Sequence, residues 1–141
     1  MNNPASALST AIKTALGTVT ISGITYPVYE TYEKGAPNRS YVLISTYIDN
    51  EQGTKDNYGY TGTIAVEAVD ESQVNNASMA KVRAISDKTR SLLCVTRGTT
   101  FAVTGYTLTI FRLTGNTETR ETMKDNRTIT RVIDLYEFLI F

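Results

Sequence analysis

The chain reads as an α+β protein in which a mainly antiparallel β-sheet packs against an N-terminal helix and one longer central helix. Three observations lead there. Apolar residues recur at helical spacing in two places only, Leu8-Ile12-Ala15-Leu16 and Val82-Ile85-Leu92-Leu93. Elsewhere, Thr-, Tyr- and Val-rich stretches favour strands with half-buried faces. Their order (helix, strands, helix, strands) suits helices gathered on one antiparallel sheet. At 141 residues the chain fits a single domain, 1–141, able to bury its own core without a disulfide or metal.

The first helix has both ends marked. Asn3 is placed to cap it, Pro4 suits its first turn, and Gly17 offers a left-handed exit. "TVTISGITYPVYE" then predicts a hairpin turning at Ser22-Gly23, with Pro27 confined to an edge or bulge. After the turn-rich "EKGAPNRS" comes a strand from Tyr41 to Ile48, and "TGTIAVEAV" forms the next. In that second strand Ile64, Val66 and Ala68 share one face and Glu67 takes the other. The central helix is predicted from about Asn76 to Cys94. "TFAV" and "YTLTIFRL" read as a hairpin about Thr104-Gly105, and "RTITRVIDLYEFLIF" as the closing strand. Long polar loops are expected near 49–60 and 114–127.

Composition argues against most chemistry. There is no His, so the usual general base, the commonest zinc ligand and the His-dependent triads are missing. Cys94, the one cysteine, falls in an apolar helical stretch and reads as a small hydrophobe. Neither GxGxxG nor GxxxxGK[ST] occurs. "DNEQGTKD" fails the ligand spacing of a calcium loop. The compact acidic clusters, Asp70-Glu71 and Asp49 with Glu51, are ordinary solvated turn chemistry. No catalytic residue, cofactor or metal ligand is therefore assigned. Fourteen basic residues balance fourteen acidic ones, unlike the basic excess of a strongly electrostatic nucleic-acid binder. "MNNPASALSTAIKTALG" has neither the basic start nor the apolar core of a secretion signal, and no apolar run would span a bilayer. A cytoplasmic, membrane-free protein is expected.

Two features point to contacts instead. The first polar loop, from Asn50 to Tyr58, carries Asp49, Glu51, Lys55 and Asp56 with Tyr47, Tyr58 and Tyr60 on its rim. Tyrosine combines a large apolar ring with a polar tip, which suits a partly wet interface, so the loop reads as an interaction arm. In "VIDLYEFLIF" both alternating residue sets are apolar, broken only by Asp134 and Glu137. Both faces of that strand are thus expected to be covered, one by helices. For the other, a neighbouring subunit and burial within the monomer are equally open. Tyr136, Phe138, Ile140 and Phe141 join the arm as candidate subunit-interface residues.

The order of segments resembles the tail-terminator, or tail-completion, proteins of tailed bacteriophages. The residues that carry it are "ALSTAIKTAL", "YPVYE", "SYVLIST", the long loop, "YTGTIAVEAVD", "ASMAKVRAISDKTRSLL", "YTLTIFRLTG" and "RTITRVIDLYEFLIF". The resemblance implies a structural virion protein assembled in the bacterial host cytoplasm. It would form a homo-oligomeric ring in the neck, joining the portal side to the tail while DNA passes through the lumen. Its partners would be other copies of itself, portal or adaptor proteins and tail proteins. Near-zero charge suits a lumen through which DNA slides. Two other classes compete: a small α+β ligand-binding domain or carboxylate-dependent enzyme, and a host-side adaptor acting as monomer or dimer.

Overall fold

The computed structural model describes residues 4–17, 19–30, 39–54, 57–73, 78–93 and 101–141. Helix α1 (Pro4–Leu16) ends as its sequence dictates: Gly17 takes φ 54° and its N–H donates to the Lys13 carbonyl at 3.0 Å. Strands β1 (Val19–Ile21) and β2 (Ile24–Tyr26) form the expected hairpin. Ser22 and Gly23 both have positive φ, the geometry of a two-residue turn matched to strand twist. Pro27 sits just before β3 (Val28–Tyr29), where it contributes only its carbonyl, accepting from the Val42 N–H at 2.9 Å.

The main sheet has the order β3-β4-β5-β7-β6, with β4 (Arg39–Thr54), β5 (Asn57–Gln73), β6 (Leu108–Thr122) and β7 (Arg127–Ile140). Only β3 runs parallel to its neighbour; every other pairing is antiparallel. Helix α2 (Met79–Leu93) connects β5 to the β6–β7 hairpin and packs, with α1, on one face of the sheet. The α+β architecture is therefore as predicted.

Side-chain parity sets the core. Even-numbered residues of β4, β5 and β7 meet the helices: Val42, Ile44, Ile64, Val66, Ala68, Val132 and Tyr136 pack with Leu8, Ile12, Leu16, Val82 and Ile85. Phe111 stacks on Tyr136 at 4.8 Å between ring centroids, and Phe101 meets Phe111 edge-on at 4.9 Å. This column holds the 101–106 segment against the sheet.

Both expected loops are strand instead. Residues 49–54 and 57–60 continue the β4–β5 ladder from Asn50↔Thr61 to Thr54↔Asn57, after one register shift between Ile48 and Asn50. Residues 114–122 pair with β7 as far as Thr122↔Thr128, and the turn is only Met123–Asn126, with Asn126 at φ 63°. Polarity had suggested loops, but both stretches are free of Pro, the second is rich in Thr, and a strand held by cross-strand main-chain bonds needs no apolar side chain. The reverse error occurs at "TFAV", which shrinks to a single bridge, Val103↔Tyr106, about a turn at Gly105 (φ 84°). Asn3 and Cys94 lie outside the described residues.

In α2, Val82 and Ile85 are wholly buried and Leu93 nearly so, whereas Leu92 is only partly covered. Ile85→Ala should therefore cost about 2–5 kcal/mol of folding stability, from lost burial and the cavity left behind. Leu92→Ala should cost measurably less. Urea unfolding of the two variants side by side checks the order.

Candidate interaction surface and its buried supports

The residues proposed for contact separate into three groups. Tyr47, Asp49 and Glu51 lie on β4 and Tyr58 on β5, in the ladder that closes the hairpin, while Lys55 and Asp56 fall outside the described residues. The pairing of β5 with β7 ends at Tyr60↔Ile140. The pairs Gln52↔Gly59, Gly53↔Tyr58 and Thr54↔Asn57 thus project past β7 as a two-stranded ribbon. Tyr60 marks its root, edge-on to Tyr106 at 6.3 Å. The projecting segment is a hydrogen-bonded arm and not an irregular loop.

Tyr136, Phe138 and Ile140 belong elsewhere. All three are fully buried in the chain's own core, which corrects their assignment to a subunit interface. The strand does have two apolar faces, but the helices took the even one. The face left open carries Ile133, Leu135 and Leu139, each only partly covered, with Ile110 of β6 beside Leu139. Phe141 is also half-buried, and its main chain exchanges hydrogen bonds with Thr107 at 2.7 and 3.0 Å.

Glu67 lies on this open face, with Leu43 and Ile133 as its cross-strand neighbours. Burial raises its pKa above the ordinary carboxylate value, and the positive charge of Arg131 opposes the shift without cancelling it. On the same face Arg112 and Glu137 pair at 2.8 Å.

Two buried carboxylates fasten α2 to the other face. Asp134 on β7 accepts from Ser86 Oγ at 2.7 Å, from Arg90 Nη2 at 2.6 Å and Nε at 3.1 Å, and from Asn116 Nδ2 at 2.8 Å. The hydrogen bond to Asp134 holds the Arg90 guanidinium still more firmly protonated. Asp70 on β5 accepts from Ser40 Oγ at 2.5 Å and Ser72 Oγ at 2.7 Å, and lies 3.3 Å from Lys81 Nζ. A third, exposed tie joins Arg83 to Glu118 through two hydrogen bonds of 2.7 and 2.8 Å. The signal for Asp134 was present in the sequence as a lone acid inside an apolar strand; its partners, 18 to 48 residues away, were not legible.

The acid pair Asp70-Glu71 is split between the two faces of the sheet. Asp70 and Glu71 are neighbours in a strand, so they point to opposite faces and cannot act on one bond. Glu71 is fully buried on the far side, where the Tyr41 hydroxyl donates to it at 3.3 Å and Arg127 lies 4.0 Å away. A cleft of about 480 Å³ between α1 and the 101–104 segment is lined by Ser6, Thr10, Thr14, Ala102 and other small residues, with no titratable group among them. A smaller one of about 190 Å³ is rimmed by Arg83, Arg90, Asn116 and Glu118, all engaged in the ties just described.

Removing the Asp134 carboxylate strands Ser86 and Arg90 together. Asp134→Ala should cost about 3 kcal/mol, the lower end for breaking a buried pair because Arg90 retains access to water. Asp134→Ala with Arg90→Met should recover part of that loss, measured by a double-mutant cycle. Glu67 gives a pH signature of the opposite kind from a salt-bridged acid. The native state binds its proton more tightly than the unfolded chain, so this group's contribution to stability falls as pH rises through the window above its ordinary value. Glu67→Gln should be more stable than the wild type near pH 7, and the advantage should vanish by about pH 3, followed by denaturant midpoints.

Neither the protein-family models nor the curated protein sequences give a match to this chain. Among solved structures, the fold is similar to that of a chain from the virion of a native gene transfer agent particle. The two share 14% sequence identity at a TM-score of 0.63, over 92% of this chain and 83% of the other. At that identity the likeness establishes a shared fold.

Proposed function

We propose that this protein is a structural component of a phage-like virion. It forms a homo-oligomeric ring in the neck or tail that joins the portal side to the tail and lets DNA pass. The observation that carries the reading is the fold shared along most of the chain with a virion chain. The segment order that resembles tail terminators supports it independently, because that resemblance rests on sequence and the other on backbone geometry. The carboxylates support it too: Asp70 and Asp134 tie α2 to the sheet, Glu71 is engaged by Tyr41 on the other face, and among the described residues these three do not converge on a cleft. The projecting β4–β5 ribbon and the half-covered Ile133, Leu135 and Leu139 supply contact surface for neighbours of the same virion. Balanced charge suits a lumen that DNA crosses without sequence-specific grip.

The mass of the purified protein at rising concentration, together with its presence in purified particles, tests the ring. A chain that stays monomeric and is missing from particles would refute it. The arm has its own test. Replacing Gly53–Tyr58 by Asn-Gly closes the hairpin on the Gln52↔Gly59 pair with a favoured two-residue turn. The variant should keep the wild-type fold and melting temperature, yet assemble less completely or attach less well to the next neck protein. Particles formed at normal yield and infectivity would remove the arm from the assembly mechanism.

A further inference from the structure

The main sheet leaves two long main-chain edges without a strand partner among the described residues. On one side β6 is the last strand for its whole length. On the other, β3 covers β4 only at Val42 and Leu43, so Ile44–Thr54 is open. Proteins that stay apart usually blunt such edges, because a row of unused N–H and C=O groups is a template for another strand. Here β6 has register shifts at Leu108/Ile110 and Leu113/Gly115, then runs regularly from Gly115 to Thr122 with no Pro.

The direction of each main-chain group follows from the ladders. Met123 N–H donates to the Arg127 carbonyl, so in the regular run the odd-numbered residues of β6 face β7. The N–H and C=O groups of Asn116, Glu118, Arg120 and Thr122 consequently point outward. On β4, Val42 N–H points away from β5, towards Pro27. Carried through the one-residue shift after Ile48, this turns the main-chain groups of Glu51 and Gly53 outward as well.

The strand order β4-β5-β7-β6 is antiparallel throughout, so β4 and β6 run in opposite directions. A second copy in the same orientation, slid along the strands so that its β3 clears the regular run of β6, brings the open part of its β4 against β6 antiparallel, which continues the meander. The two edges are therefore complementary to each other, whereas two β4 edges, or two β6 edges, meet only when one copy is turned over. We infer that the open edge of β6 pairs antiparallel with the open edge of β4 on the next copy, giving a head-to-tail junction that makes one sheet continuous between subunits. A junction between unlike surfaces is the kind that propagates and closes into a ring. Main-chain pairing supplies the affinity, as in strand addition to sheet edges generally. The inference rests on the ring reading, and names the surface through which the ring would form.

Proline separates the edge from the fold. Arg120→Pro removes an N–H that β7 does not use, and Glu51→Pro does the same on the open side of β4. Thr122→Pro and Gly53→Pro are the second variants on each edge, should either first choice fail to give wild-type circular dichroism. Where the wild type assembles, each single variant should run as a monomer by light scattering. An equal mixture of the two should give dimers and nothing larger, because only one intact junction remains between them. Unchanged rings in both variants would show that another surface closes the ring, overturning the edge pairing and leaving the ring in place. Dimers formed by one variant alone would mean that like edges pair, which also overturns it. A wild type that never assembles, alone or in particles, removes the ring and the junction together.

Discussion

Strand β7 is hydrogen-bonded on both sides, to β5 and to β6, and its side chains can point only to two faces. That constraint governs the rest of the molecule. Once Val132, Asp134, Tyr136, Phe138 and Ile140 lie under cover, every odd residue from Arg131 to Leu139 must face the other way. A slip of one residue would exchange the two sets and place Arg131 and Glu137 in the core. The Phe111–Tyr136 stack and the Asp134 cluster both hold the strand in its observed register. Each of them needs β6 or α2 to be in place already.

Burying an acid is costly unless its oxygens are satisfied, and Asp134 is satisfied by three side chains from two elements: Ser86 and Arg90 on α2, and Asn116 on β6. Asp70 plays the corresponding part farther along the sheet, collecting Ser40, Ser72 and Lys81. Apolar packing alone lets a helix slide or rotate on a sheet at modest cost. Two fixed carboxylates, spaced along α2 at Lys81 and at Ser86/Arg90, specify where it sits. The same use of carboxylates accounts for Asp70 and Glu71, whose described partners are donors within the fold.

The other face of the sheet is built differently. Tyr41, Val69 and Ile129 form a small buried cluster with Tyr29 and Leu43 packed against it, ending near the buried Glu71. Beyond it the face is mixed, with Ile133, Leu135 and Leu139 beside Glu67, Arg131 and the Arg112–Glu137 pair. Such a surface is compatible with water and, in the assembly proposed above, with a neighbour. In the junction inferred above, the sheet edges would add a second mode of contact, carried by main chain and therefore indifferent to most side-chain changes.

Local chemistry was enough to read the two helices, the Pro4 start and Gly17 exit of α1, and the Ser22-Gly23 turn from the sequence. Gly17, Pro4 and the positive-φ turn pair act through their own backbone, and helical periodicity needs only residues a few positions apart. The α+β class followed from the order of those segments, and the lack of His bounded the chemistry. Strand length was not legible in the same way. Residues 49–60 and 114–122 look like loops because their side chains are polar, yet their backbones are held by cross-strand partners that no local pattern names. Parity was the other hidden quantity: "VIDLYEFLIF" shows two apolar faces, and either could have met the helices. Long-range burial chose the even one, placing Tyr136, Phe138 and Ile140 inside and Ile133, Leu135 and Leu139 outside. The sequence by itself determined the two helices, the apolar stretches of the long strands, and the Gly17 and Ser22-Gly23 signals, all of which act locally. Only the tertiary structure decided which face and which edge each strand shows to solvent, because those depend on partners dozens of residues away.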